Sequence, residues 1–446
     1  MKILENVAAV MRRMHEAGYA CHAVGGCVRD SLMGKEPHDW DLTTNALPEQ
    51  VAAVFADERV IPTGMAHGTV TVLIQGMPLE ITTYRIDGAY TDHRRPDSVS
   101  FVSDITEDLR RRDFTVNAMA YSPESGLCDP FGGAEDLKNG ILRCVGRAEE
   151  RFEEDALRIL RALRFAATYG FTIEEATAAA LFEKAPLLKA VAAERVRAEL
   201  DRLLVGAHVG AVLERFSAVL YPVIPELAAT EGVRQCNPYH DRDVLGHTIA
   251  SVAASVPVLP VRLALLLHDC GKPGHFSLIR EGFGHFPDHP AIGAEMAKTV
   301  LRRLRYDRRT EDTVCRLILY HDSPIPETDA GVRRWLSRMG EQELRWLLDV
   351  KEGDCGGHAA NLPPARQEEI CRLRERITRV IAEGQCTSLA DLAINGETLI
   401  ASGIPAGPAV GRCLNFAFER VLDGDLPNER EALLRAISAE KDLIIS

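Results

Sequence analysis

The chain has 446 residues, too long for one core, with 46% hydrophobic and 26% charged residues, which is the balance of an ordinary globular protein of two to four domains. No apolar run approaches the roughly 18 residues of a membrane span, so no membrane partner is expected. Eleven scattered cysteines without a Cys-x-x-Cys read as reduced thiols of a cytoplasmic protein, against a disulfide framework or a zinc ribbon. A net charge of −13 argues against general nucleic-acid binding, but arginines gather at 110–112, 158–164 and 302–309, where a local groove can still contact phosphates.

The N-terminus lacks the charged, apolar, small-residue order of a signal peptide and reads as an amphipathic helix leading into a first strand. Next comes Val24-Gly25-Gly26-Cys27-Val28-Arg29-Asp30, then His38-Asp39-Trp40-Asp41. Alternate residues of a β-strand share a face, so Asp39 and Asp41 aim two carboxylates at one point. Mg²⁺ held jointly with a substrate phosphate requires that arrangement. Gly25 and Gly26 allow close backbone approach to an anion, and Arg29 can pair with it. An Asp-x-Asp pair alone also fits a surface turn; the upstream glycines and arginine favour a nucleotidyl-transfer site.

Ala66–Ile74 and Leu79–Arg85 alternate like two strands around the turn Gln75–Pro78, and suggest a mixed sheet carrying the aspartates. Glu80 on the second strand fits a third catalytic carboxylate or a solvated strand residue equally well. In Arg110-Arg111-Arg112-Asp113-Phe114-Thr115-Val116-Asn117, arginine suits phosphate oxygens, while Asp113 and Asn117 suit sugar hydroxyls. The bland alternative is a charged turn with Asp113 as a helix N-cap. From about residue 148 the period becomes helical, and Glu153–Ala167 reads as one helix. On it Asp155 and Arg158 stand at i and i+3, with Arg161 and Arg164 continuing the line. They form either a surface ion pair or a base reader. Cytosine and adenine both present an amino donor beside a ring-nitrogen acceptor, and an aspartate–arginine pair complements that edge while refusing uracil and guanine.

In order, Gly25-Gly26-x-Val-Arg29-Asp30, Asp39-x-Asp41, Arg111-Arg112-Asp113-Phe-Thr-x-Asn117-Ala, Asp129-Pro-Phe-Gly-Gly-Ala-Glu-Asp-Leu, Glu154-Asp155-x-x-Arg158 and Glu194-Arg195-Val196-Arg197 resemble the motifs of the class II tRNA nucleotidyltransferases, the CCA-adding enzymes of the polymerase-β-like superfamily. The resemblance is strong over residues 20–230. It implies an α+β fold: a sheet-bearing nucleotidyltransferase head at 1–145, then all-helical parts, with a neck and body at 146–233, an HD domain at 234–350 and a tRNA-binding tail at 351–446. It implies that Asp39 and Asp41 bind Mg²⁺. Gly26, Arg29, Arg112, Arg161 and Arg164 would contact the incoming CTP or ATP, and Asp155 and Arg158 would select its base. The segment Asp87–Asp97 occupies the place of a flexible element that CC-only relatives tend to lose, which favours full CCA addition to tRNA. An A-adding enzyme, a poly(A) polymerase and a metal phosphohydrolase with an RNA-binding head are the alternatives.

Farther on, Leu245-Gly246-His247-Thr248, His268-Asp269-Cys270-Gly271-Lys272 and Tyr320-His321-Asp322 resemble the HD phosphohydrolase pattern, His … His-Asp … Asp. His247, His268 and Asp269 match its first three positions. Asp354 fits the last carboxylate better than Asp322, and His289 and His321 suit a second metal. A divalent ion (Ni, Mn, Fe or Mg) is implied there. Arg234–Tyr239 reads as the linker before this module, and no stable protein partner is implied.

Overall fold

The computed structural model describes residues 1–62, 64–88, 98–236, 240–278, 284–358 and 365–445. Most of the 87–97 element and the end of the 234–239 linker therefore lie outside the described residues. The chain forms two compact units, Met1–Ala228 with Arg303–Arg305, and Ala229–Arg302 with Tyr306–Ser446.

The first unit opens with the helix Glu5–Glu16, which buries Val7, Val10, Met11 and Met14 at helical spacing. The strands β1 (Cys21–Val24), β2 (Asp41–Thr44), β3 (Arg59–Ile61), β4 (Thr69–Ile74), β5 (Met77–Thr83), β6 (Ala120–Ser122) and β7 (Gly126–Cys128) form one seven-stranded sheet in the order β3-β4-β5-β2-β1-β6-β7. Only β2 and β5 pair in parallel, so the sheet is mixed, as expected. The expected start of β4 at Ala66 is instead a 3₁₀ turn, Met65–His67, and the strand begins at Thr69. The β4–β5 hairpin turns on two residues, Gln75 and Gly76, with φ of 51° and 82°. Positive φ at both is what a two-residue type I′ turn needs to match strand twist.

One face of the sheet is dry. Ala23, Leu42, Val70, Val72, Leu79 and Ile81 pack there with the first helix in a single core. Strand alternation puts Asp41, Thr43, Glu80 and Thr82 on the other face. Helices Ala148–Glu154, Leu157–Tyr169, Glu175–Lys184, Ala193–Leu204 and Val209–Phe216 follow the sheet in the same unit.

Among its described residues the second unit is helical apart from a short ribbon, Ser277–Leu278 with Gly284–His285. Its principal helices are Val244–Ala254, Leu259–Leu267, His289–Arg303, Arg308–Tyr320, Asp329–Gly356 and Ala365–Ala382. Asp329–Gly356 is interrupted at Gly340, whose φ of 75° and ψ of 167° are not helical. The tail helices Gly396–Ala401, Pro408–Asp423 and Arg430–Ala439 close their own core over Leu399, Cys413, Phe418 and Leu433. No described helix is long and apolar enough to cross a membrane.

Candidate active site in the head and an HD cluster

Asp41 opens β2, and Asp39 lies two residues ahead of it, outside the strand. The alternation nevertheless continues through both. Trp40 and Leu42 point into the core, while Asp39 and Asp41 are exposed. Across the parallel pair Asp41 stands in register with Glu80, also exposed. Although Asp41 is exposed, nearby protein atoms strip part of its hydration and raise its pKa; Arg112 opposes the rise and Asp39 adds to it. Like-charged neighbours of this kind favour a cation between them. Among the described residues, no set of three close ligating side chains includes Asp39 or Asp41. A two-carboxylate site leaves its other positions to phosphate and water, the usual habit of Mg²⁺.

Gly25 precedes the helix Gly26–Leu32 with φ of 79° and ψ of −127°, and a Cβ there would lie 2.8 Å from Arg112 Nη1. The close approach of a guanidinium to bare backbone is what the first glycine permits. Gly26 is ordinary by comparison, with Arg29 Nη2 at 3.7 Å from its notional Cβ. Arg112 makes one long ion pair, Nη2 to Asp108 Oδ2 at 3.7 Å, and its Nε is buried without a partner. Donors thus remain open beside Gly25 and Asp41, which suits a triphosphate. Asp108 is fully buried and accepts from Arg111 Nε at 3.0 Å and Nη2 at 2.8 Å, and from Thr43 Oγ1 at 3.3 Å. Sequence reasoning passed over Asp108. Its signal was an acid three and four residues ahead of Arg111 and Arg112, on the helical turn that ends at Arg110.

Arg29 is placed differently from expectation. It is 6% exposed and engaged inside the protein rather than open to an anion. Its Nε and Nη2 donate to Asp30 Oδ1 at 2.9 and 2.8 Å, Nη1 to Asn117 Oδ1 at 2.6 Å, and Nη2 also to the Tyr169 hydroxyl at 2.9 Å. Asn117 Nδ2 donates to Asp113 Oδ1 at 3.0 Å, and Asp113 Oδ2 accepts from Arg161 Nε at 2.9 Å and Nη2 at 2.5 Å. A relay Arg29–Asn117–Asp113–Arg161 therefore ties the glycine helix to the helix Leu157–Tyr169. Asp113 caps no helix: the cap position of the 3₁₀ turn Thr115–Asn117 belongs to Phe114.

Burial works to raise the pKa of Asp113, but the charge of Arg161, the Asn117 amide and Arg158 overcome it and hold the carboxyl far below the usual range. A depressed folded-state pKa contributes stability above the unfolded value of about 3.9, lost as pH falls below it. Asp113→Asn should cost about 2–3 kcal/mol at pH 7, less than a fully buried pair because Arg161 is 34% exposed. Urea unfolding of both proteins checks this. The gap should narrow below about pH 4, and coincident midpoints at pH 7 would refute it.

The expected single helix over Glu153–Ala167 is broken. Ala148–Glu154 ends at Asp155, whose φ of −136° and ψ of 101° are extended, and a new helix begins at Leu157. Asp155 Oδ1 accepts from Leu157 N at 3.1 Å, the local bond by which aspartate competes with a continuous helix. Asp155 and Arg158 therefore do not share a helix face as an ion pair. Asp155 Oδ2 accepts instead from Arg195 Nη2 at 3.0 Å. Arg158 Nη1 donates to Glu154 Oε2 at 2.7 Å and to Arg151 O at 3.2 Å, and its Nη2 to Arg111 O at 3.0 Å. Arg164 Nε donates to the buried Glu199 at 2.5 Å and stacks over Phe165. Arg195 and Glu199, both on Ala193–Leu204, were missing from the expected site, although Arg195 stood in one of the quoted motifs.

In the second unit four separated residues converge. His247 Nε2 lies 2.9 Å from Asp354 Oδ1 and 3.7 Å from Asp269 Oδ2; His268 Nε2 lies 3.3 Å from Asp269 Oδ2 and 3.5 Å from Asp354 Oδ1. All four are buried. His268 Nε2 and Asp269 Oδ1 lack hydrogen-bond partners, whereas Asp354 Oδ1 is met by His247 Nε2 and Asp269 Oδ2 accepts from the buried Lys272 Nζ at 2.7 Å. His268, His289 and His321 each set Nδ1 against the carbonyl three residues back, at 2.7, 2.9 and 2.6 Å. That bond fixes the tautomer and leaves Nε2 as the ligand atom. Burial disfavours a charged His268, yet Asp269 and Asp354 push its pKa up to about 10. Lys272 already balances one of the two buried carboxylates; the second carboxylate and the converging imidazole nitrogens are a donor set that fits a divalent cation. Asp322 is half exposed and near His289, at 3.5 Å, away from His247. Asp354 sits on Asp329–Gly356, so the cluster draws on both sides of residue 350.

Comparison with known proteins bears on both sites. The chain matches a Poly A polymerase head domain at 21–143, an RNA and SrmB-binding site of polymerase A at 170–230, an HD domain at 245–391 and a tRNA nucleotidyltransferase domain 2 at 355–437. It is 34% identical to the CCA-adding enzyme of Leuconostoc mesenteroides over 95% of this chain and 93% of that one. It superposes on the Bacillus stearothermophilus CCA-adding enzyme in complex with CTP with TM-score 0.71 and 29% identity, over 99% of both chains. The Thermotoga maritima CCA-adding enzyme complexed with tRNA shares the fold, with TM-score 0.58 and 22% identity, over 98% of this chain and 94% of that one. Because the likeness runs through head, neck and helical unit alike, the chain belongs to the family of CCA-adding enzymes.

Proposed function

We propose that this protein adds CCA to the 3′ end of tRNA without a nucleic-acid template, using CTP and ATP and releasing pyrophosphate. The observation that carries this is the exposed Asp39–Asp41 pair beside Gly25 and the unfilled donors of Arg112. Asp39 and Asp41 are the residues to hold Mg²⁺, with Glu80 in register as a third carboxylate. When bound, Mg²⁺ supplies charge that favours the ionised 3′ hydroxyl of the RNA and the departing pyrophosphate. Arg112 donates to phosphate oxygens over the bare backbone of Gly25. Arg29, Asn117 and Asp113 act through Arg161, holding it toward the nucleotide. The eleven free cysteines and the lack of a spanning helix among the described residues support a cytoplasmic location.

Asp155 and Arg158 read the base with what their partners leave. Asp155 retains acceptor lone pairs on both oxygens, and Arg158 retains Nε–H and one Nη2–H. An amino group beside a ring nitrogen satisfies both; uracil leaves both unpaired. Asp155→Ala should lower the preference for CTP over UTP by about tenfold or more while addition itself persists. Competition between the two nucleotides on one tRNA measures it, and an unchanged ratio would remove Asp155 from base selection.

Incubation with tRNA ending before CCA, and with single nucleotides, tests the main reading. CTP incorporation followed by ATP supports it. Incorporation of ATP alone would point to an A-adding enzyme, and a long adenosine tract to a poly(A) polymerase. The convergence of His247, His268, Asp269 and Asp354 supports a second activity, metal-dependent hydrolysis of a phosphate ester. Its ion is a divalent metal of the Ni, Mn, Fe or Mg group.

A further inference from the structure

Two histidines beside the HD cluster have no role in the four-residue pattern. The His240 ring stands edge-on to His247 at 4.6 Å between centroids and to His358 at 4.7 Å, while His358 stacks on His247 at 5.3 Å. A ligating nitrogen of each of the three lies within 4.8 Å of the others. Their bonding differs from that of His268, His289 and His321. Among the described residues neither imidazole is tied to a backbone carbonyl; His240 Nδ1 is buried with no partner there, and His358 Nε2 comes no closer than 3.9 Å to Asp354. Both are less buried than His247, which is 1% exposed: the His358 side chain is 12% exposed and His240 is partly buried.

A third metal position made of these rings conflicts with the hydrogen bonds. His247 Nδ1 lies 3.1 Å from Gly357 O, so that nitrogen carries the proton, and only Nε2 can ligate. Nε2 is already turned to Asp354 at 2.9 Å. One nitrogen cannot serve two ions. What remains is a pair of imidazoles beside the buried donor cluster, less buried than His247 and without a hydrogen-bond partner among the described residues. Donors so placed match the non-bridging oxygens of a phosphoryl group held at the cluster.

Resting on the reading of this unit as a phosphate-ester hydrolase, we propose that His240 and His358 are its phosphate-binding residues, contacting the substrate and not the ion. The test uses the full chain loaded with Mn²⁺ or Ni²⁺, with inorganic phosphate as probe in calorimetry and p-nitrophenyl phosphate as substrate. H240A and H358A should each weaken phosphate binding at least about tenfold and raise KM with little change in kcat. Metal content should stay at the wild-type value, and H240N should recover part of the affinity. Loss of one metal equivalent in either variant would make the residue a ligand and overturn the proposal. Wild-type phosphate affinity in both variants would overturn it alone. A metal-loaded wild type that neither binds phosphate nor hydrolyses the ester would instead overturn the hydrolase reading beneath it.

Discussion

Asp41→Ala should abolish nucleotide addition, lowering the rate at least about a thousandfold, or roughly 4 kcal/mol of transition-state stabilisation. Its exposed side chain contributes nothing to the core, so the free energy of unfolding should change by less than about 0.5 kcal/mol. That contrast separates loss of chemistry from loss of fold. Asp39→Ala should behave alike, because the proposed reading has both carboxylates hold one ion opposite the triphosphate. Steady-state incorporation of labelled CTP, read beside a denaturation curve, checks both. A variant that keeps even a tenth of wild-type activity would exclude Asp41 from the metal site.

Gly25→Ala should damage activity far more than Gly26→Ala, although the two glycines are adjacent. At Gly25 an added Cβ meets Arg112 Nη1 at 2.8 Å, and φ of 79° is a conformation that L side chains rarely adopt. The backbone strain should cost about 1–3 kcal/mol of stability. Arg112 can yield only by moving its guanidinium away from the place where it faces Asp41, so addition should fall by more than about tenfold, with KM for the triphosphate rising. At Gly26, the first residue of its helix, alanine meets no protein atom closer than 3.7 Å and should leave stability nearly unchanged, with any loss of activity confined to its contact with the nucleotide. Equal behaviour of the two variants would contradict the account of the cradle.

The head was legible in the sequence because its signals are local. A period of two carries Asp39 and Asp41 outward and Trp40 and Leu42 inward, even though the strand proper starts only at Asp41. The Gln75–Gly76 hairpin was visible in its turn residues for the same reason. The neck was not. Apolar spacing over 153–167 suits an unbroken helix, and it does not show the break at Asp155, whose carboxylate accepts from Leu157 N and from Arg195. Partners far away in sequence were invisible. Arg29 looks like an anion clamp until Tyr169, 140 residues later, occupies its Nη2. Arg195 reaches Asp155 across 40 residues. In the second unit the His-Asp doublet and His247 were recognisable by pattern, while His240 and His358 carry no spacing rule and emerge only when their rings meet.

The most direct measurement is the structure of crystals grown with CTP and Mg²⁺. The account predicts a cation bridging Asp39 and Asp41 to the triphosphate, with Arg112 on a phosphate oxygen above Gly25. A triphosphate seated elsewhere, with both carboxylates turned away from any ion, would contradict it.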